Sequence, residues 1–182
     1  LLLCSSIVLS AIAANAQGNV STTPSNRVAI LEEYTGNFCT YCPDGHLIAD
    51  QIEATGAVTL KLQVGSFSGT DPIFGGSLQT PTTDVIAGPF DSQGYPNGTV
   101  NRAPGNLGIG RGAWTSAAAA IQSQVSPVNI YLESAVDVTT GQLDVSVEYY
   151  YTSNPANSTN YLHIGYYQDN IPAYQYDPGF NP

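Results

Sequence analysis

The pair Cys39-Thr40-Tyr41-Cys42, set just after a run of strand-forming residues, constrains this chain more than any other stretch. Residues 28–34 read V-A-I-L-E-E-Y, apolar and β-favouring enough for a buried central strand. Thr35-Gly36-Asn37 breaks that run, and Pro43-Asp44-Gly45 opens a helical pattern in which Ile48 and Ile52 recur one turn apart. Cysteines at the start of a helix sit among backbone N–H groups that have no intrahelical acceptor, at the positive end of the dipole. Both effects favour thiolate over thiol. Two intervening residues also let the sulfurs close a small disulfide across the first turn. The chemistry of the chain is therefore expected here, as a dithiol that exchanges disulfides or as an inert staple of the helix start. Tetrahedral zinc needs four ligands, and His46 and His163 are joined by no second C-x-x-C. Pro43 fills the position where haem attachment needs His. No metal and no cofactor are expected.

The remaining pattern extends this unit. Residues 57–67 alternate, with Val58, Leu60, Leu62 and Val64 set against Thr59, Lys61 and Gln63, so a second strand follows the helix. The order β-α-β favours a parallel pair with a right-handed crossover. Residues 68–97 are rich in Gly, Pro, Thr and Asp and read as a long loop. It holds one short helix around 83–87, capped by Thr82 or Thr83 and closed by Gly88-Pro89. Residues 95–102 turn into a short strand. A second helix is expected over 111–125, with Trp114, Ala117, Ala118, Ile121 and Val125 on one face, stopped by Ser126-Pro127.

Beyond Pro127 the period becomes two. Residues 128–138 and 143–151 alternate around Thr139-Thr140-Gly141-Gln142, a hairpin turn, and Leu162, Ile164 and Tyr166 begin a third strand. The expected fold class is α/β in one domain, followed by a truncated, sandwich-like all-β domain. The expected division is a signal segment at 1–16, a linker at 17–26, the α/β domain at 27–126 and the β domain at 127–182.

Residues 1–14 are apolar and uncharged, and Ala14-Asn15-Ala16 is an A-x-A cleavage pattern, so the chain is expected to begin inside an export signal. Without Cys4, the cysteines are Cys39 and Cys42 alone, and an oxidising compartment would hold them as a disulfide unless a reductant is supplied. Four basic residues face fourteen acidic ones, for a net charge of −10. Nucleic acids and anionic lipid surfaces require clustered Lys and Arg, which excludes both as partners.

The run E-E-Y-T-G-N-F-C-T-Y-C-P-D-G-H, with Y-P-N-G-T-V-N-R downstream, resembles the outer-membrane protein of 28 kDa family, thioredoxin-like envelope proteins of Bacteroidetes type. The similarity covers about 27–125, and the segment after Pro127 resembles the tail that follows the thioredoxin-like domain in that family. The resemblance implies thiol–disulfide exchange with protein substrates or a redox partner, in the periplasm, outer membrane or cell surface. It makes Cys39 the attacking thiol, Cys42 the resolving one and Glu33 a buried carboxylate that passes protons to Cys42. Pro96 becomes a cis-proline facing the disulfide, and the Tyr95 backbone is offered to an extended substrate. The dipeptide Thr40-Tyr41 and the Phe38 before the first cysteine depart from the usual thioredoxin Gly-Pro and Trp. A second reading stays open: a non-catalytic surface binding or adhesion protein that keeps the disulfide for structure. His46 is expected to be an exposed helix residue, Asp44 a first-turn dipole partner, and Arg102 one half of a salt bridge near the Pro96 turn.

Overall fold

Strand β1 (Ile30–Thr35) lies inside a four-stranded sheet, with Leu31 and Glu33 buried on one face and Tyr34 on the other. The computed structural model describes residues 18–90, 94–154 and 159–178. The expected export signal at 1–16 lies outside them. After β1 the chain enters α1 (Cys42–Glu53) and returns as β2 (Val58–Gln63), which pairs in parallel with β1 from Ile30↔Val58 to Thr35↔Gln63. The expected βαβ start is formed. The alternation expected over 57–67 stops at Gln63, because Gly65 adopts a positive φ and residues Gly65–Phe67 form a single 3-10 turn.

Helix α2 (Pro81–Ala87) begins two residues earlier than its sequence suggested. Its cap is Thr80, whose hydroxyl accepts the Thr83 N–H at 3.1 Å while the Thr83 hydroxyl accepts the Thr80 N–H at 2.9 Å. This reciprocal box satisfies two amides that the first helical turn leaves over. Strand β3 (Asn97–Val100) then pairs antiparallel with β1, and the two-residue β4 (Ile109–Gly110) pairs antiparallel with β3, giving the order β2-β1-β3-β4. Helix α3 (Trp114–Gln122) is shorter than the expected 111–125: Arg111–Ala113 is a 3-10 turn, and Val125 is exposed beyond the helix.

Alternation along β1 sends Leu31 and Glu33 to one face and Glu32 and Tyr34 to the other. On the first face Ala29 and Leu31 pack with Ala49 and Ile52 of α1 and Trp114, Ala118 and Ile121 of α3. Trp114 anchors this layer, fully buried, with its indole N–H donated to the Ile109 carbonyl at 3.0 Å. Tyr34 joins Val64 and Ala87 in a smaller cluster on the second face.

The described chain separates into two units. The first joins residues 25–90 and 94–126 with 159–178 and contains the four-stranded sheet. The second joins residues 18–24 with 127–154 and is built on β5 (Val128–Asp137) and β6 (Gln142–Tyr151), a regular antiparallel hairpin. Its turn is closed by the Gly141 N–H on the Asp137 carbonyl and by the Asp137 carboxylate, which accepts the Thr139 and Thr140 N–H groups. Asn129 donates to the Ser21 and Thr23 carbonyls, so the polar lead-in runs along this hairpin. The expected third strand over 162–166 is not formed. An alternating segment gains by pairing only where an edge and a covering face meet it, and residues 159–171 stay exposed without regular structure. Among the described residues no helix is long and apolar enough to cross a membrane.

Candidate functional site

The turn after β1 is held from below by the 3-10 turn at Gly65–Phe67. The Phe38 N–H donates to the Phe67 carbonyl at 2.9 Å, and a Cβ at Gly36 would stand 2.5 Å from that same carbonyl oxygen. Only glycine lets the two backbones approach so closely. Asn37, almost wholly buried, ties the turn sideways: its side chain accepts the Gly69 N–H at 2.9 Å and donates to the Gly69 carbonyl at 3.4 Å. The Cys39 N–H closes the turn onto the Gly36 carbonyl at 3.0 Å.

Cys39 and Cys42 are joined as a disulfide, with Cα atoms 5.4 Å apart. Cys42 is the first residue of α1, and Cys39 lies in the turn that leads into it. No side chain caps this helix start, so the backbone and the sulfurs themselves occupy its positive end. Both cysteines are buried, Cys39 with 3 % and Cys42 with 0 % of its surface exposed.

Glu33 is the least expected feature in energetic terms. Its carboxyl is completely buried, neither oxygen has a hydrogen-bond partner, and a Cβ on Gly45 would fall 2.8 Å from Oε1. The group therefore lies against the first turn of α1 at Gly45, three residues after Cys42. Burial pushes its pKa from the usual 4.5 up to about 8, against the opposing pull of Lys61, its register partner on β2. Its nearest titratable neighbour is His46, one helical turn after Cys42, with Nε2 at 3.6 Å from Glu33 Oε1 and 2.9 Å from the Thr35 hydroxyl. His46 is thus half-buried against β1 and not the exposed helix residue its sequence suggested. Burial, then Lys61, lowers its pKa from 6.5 to about 4. Neutral acid and neutral imidazole face each other. The i, i+4 spacing of Cys42 and His46 was the signal that could have found it.

The Tyr95-Pro96 bond is cis. Pro96 touches the same first turn, since a Cβ on Gly45 would lie 2.8 Å from Pro96 Cγ. Tyr95 packs edge-on against Phe67 with ring centroids 5.8 Å apart. Tyr95 and Pro96 line an open groove of about 750 Å³ together with Asp44 and Ile48 of α1 and Arg111. Arg111 binds the Asp44 carboxylate and sits 5.6 Å from the centre of the ring of Tyr41, one of the two residues between the cysteines. Asp44 therefore has a specific cation partner besides the helix dipole. Arg102 forks onto Glu32 with bonds of 2.9–3.2 Å and stacks on Phe90, on the opposite face of β1. It plays the structural part expected of it.

Cys39, Cys42, Glu33 and Pro96 thus converge on the first turn of α1, and Tyr95 borders the groove beside it. Among the described residues no group of three or more His, Cys, Asp or Glu is gathered to hold a metal ion. No protein-family model, curated protein or solved structure matches the chain. A buried strand, a C-x-x-C disulfide at the start of the next helix and a parallel return strand are nonetheless consistent with a thioredoxin-like fold.

Proposed function

We propose that this is an exported thioredoxin-like protein that exchanges disulfides with protein substrates through Cys39 and Cys42, in the manner of the outer-membrane protein of 28 kDa family. One observation carries the reading: a fully buried carboxyl, without a hydrogen-bond partner among the described residues and pushed up to a pKa of about 8, lies against the helix turn that begins at Cys42. A structural staple has no use for a desolvated acid beneath it, whereas proton transfer near neutral pH does. In the reduced site the Cys39 thiolate attacks one sulfur of a client disulfide. The other client sulfur leaves as a thiolate and takes a proton from solvent. Cys42 then gives its proton to the ionised Glu33 and attacks Cys39 Sγ, and the second client sulfur leaves as a thiolate that takes a proton from solvent. Two electrons pass to the client, and the resulting Cys39–Cys42 disulfide is returned to the dithiol by an external thiol reductant. The reverse sequence oxidises a client dithiol. Tyr95 and Pro96 border the groove for an extended client segment, with export and envelope location following the apolar 1–16 segment.

The near-complete burial of both sulfurs favours a second reading, a surface binding protein with a slowly exchanging structural disulfide. Trapping separates the two. A Cys42→Ser variant produced in an envelope compartment is expected to accumulate mixed disulfides on Cys39, resolved by dithiothreitol, and none with Cys39→Ser. Absence of any such adduct, with partner binding that survives loss of both sulfurs, selects the second reading.

A further inference from the structure

The turn that carries Cys39 already holds an extended piece of polypeptide. The Tyr176 N–H donates to the Asn37 carbonyl at 2.8 Å, and the Gln175 side-chain amide reaches the Gly36 carbonyl at 3.2 Å and the Cys39 carbonyl at 3.4 Å. One residue earlier, the Tyr174 N–H donates to the Asp71 carboxylate at 2.6 Å, and the Tyr174 ring tilts against Phe38 with centroids 5.7 Å apart. The receiving surface is built in advance: Asp71 is held by the Ile73 and Phe74 N–H groups, and Asn37 by Gly69. Three backbone carbonyls and one carboxylate form it, so it reads hydrogen-bond donors of an extended chain more than side-chain identity.

We infer that the Gly36–Cys39 turn with Asp71 is a docking surface for an extended peptide, filled in this chain by residues 174–176, and that this occupancy screens the Cys39 sulfur from protein-sized thiols and disulfides. The inference rests on the thiol-exchange reading only for what displaces the strap, namely a client segment. The screening is a property of the disulfide whether or not it turns over.

The test compares a small and a large reductant on the oxidised chain. Either agent gives up two electrons and two protons, its own dithiol becoming a disulfide while Cys39 and Cys42 become thiols. Two variants loosen the strap differently: Tyr174→Ala with Gln175→Ala removes the side-chain contacts, and Tyr176→Pro removes the backbone N–H that Asn37 accepts. Trp114 emission verifies that each remains folded. Reduction by reduced thioredoxin is expected to quicken roughly tenfold in both variants, and reduction by dithiothreitol by less than about twofold. Rates unchanged with either agent, or raised equally with both, overturn the inference, the second because the disulfide itself would then have been altered. Failure of the thiol-exchange reading would show separately, as missing mixed disulfides in Cys42→Ser.

Discussion

Replacing Glu33 with Gln should flatten the pH dependence of stability above neutrality and make the chain more stable in alkali. The unfolded chain releases the Glu33 proton near pH 4.5, while the folded chain keeps it to about pH 8. A raised folded pKa contributes stability that is complete below the unfolded value and is lost as pH climbs through the folded one. Each pH unit across the gap costs about 1.36 kcal/mol, or about 5 kcal/mol from end to end. His46 works in the other direction. Its folded pKa, lowered to about 4, means that stability is lost as pH falls below 6.5. Between pH 4.5 and 6.5 the two slopes oppose each other, and the partly exposed imidazole, screened by solvent, offsets only part of the Glu33 slope. Above 6.5 the decline belongs to Glu33 alone and amounts to about 2 kcal/mol by pH 8.

Whether the pair is carboxylic acid with imidazole or carboxylate with imidazolium, 3.6 Å apart, the folded chain carries one proton near pH 7 that the unfolded chain largely lacks. The assay is urea unfolding of the oxidised protein at pH 6.5 and 8.5, read by emission of the one Trp, which is fully buried. Native protein should lose about 2 kcal/mol between the two values and Glu33→Gln less than about 0.5 kcal/mol. The same slope in both proteins would refute the reasoning, because the titrating group would then lie elsewhere.

Three further substitutions test the packing around the site. Gly45→Ala places a Cβ 2.8 Å from both Glu33 Oε1 and Pro96 Cγ and should destabilise by about 1–3 kcal/mol despite the better helix propensity of Ala, read as a lower urea midpoint. Arg102→Lys replaces a two-pronged clasp of Glu32 with a single point charge at a half-exposed site. A loss of about 1 kcal/mol is expected, reduced by added salt, in thermal unfolding at two ionic strengths. Thr80→Ala removes the capping box of α2 and should cost about 1 kcal/mol, whereas Thr82→Ala, at one of the two positions its sequence offered for the cap, should leave the unfolding midpoint nearly unchanged.

What the sequence made legible was what a short window contains. The apolar run before Cys39, the 3.6-residue period after Pro43 and the alternation from Val58 each state their element within a few residues, and their order implies a parallel pair. The two-residue β4 has no period to detect. Val125 continues a helical face on paper, yet it stands beyond the last turn of α3, paired with Asn26 in an isolated bridge. The tyrosine-rich alternation over 161–167 has the pattern of a strand without an edge to join. Contacts that span the chain leave no local mark at all: Gln175 lies 139 residues from Gly36.

The strap belongs to that second kind, and in the proposed exchange it and His46 would act on the two quantities that govern a dithiol, access and proton affinity. Near a buried carboxyl, a Cys39 thiolate would raise Glu33 further, since like charges in a poorly solvated site repel strongly. Glu33 would then stay protonated while the nucleophile is free. Formation of a mixed disulfide removes that negative charge, so Glu33 yields its proton more readily at the moment when Cys42 needs a base. His46, at the margin of the buried site, provides the carboxyl with a neighbour that reaches solvent. In the proposed exchange, a client able to form that mixed disulfide lifts residues 174–176 from the turn first. Access and basicity are then coupled to the same event, arrival of a peptide at Cys39.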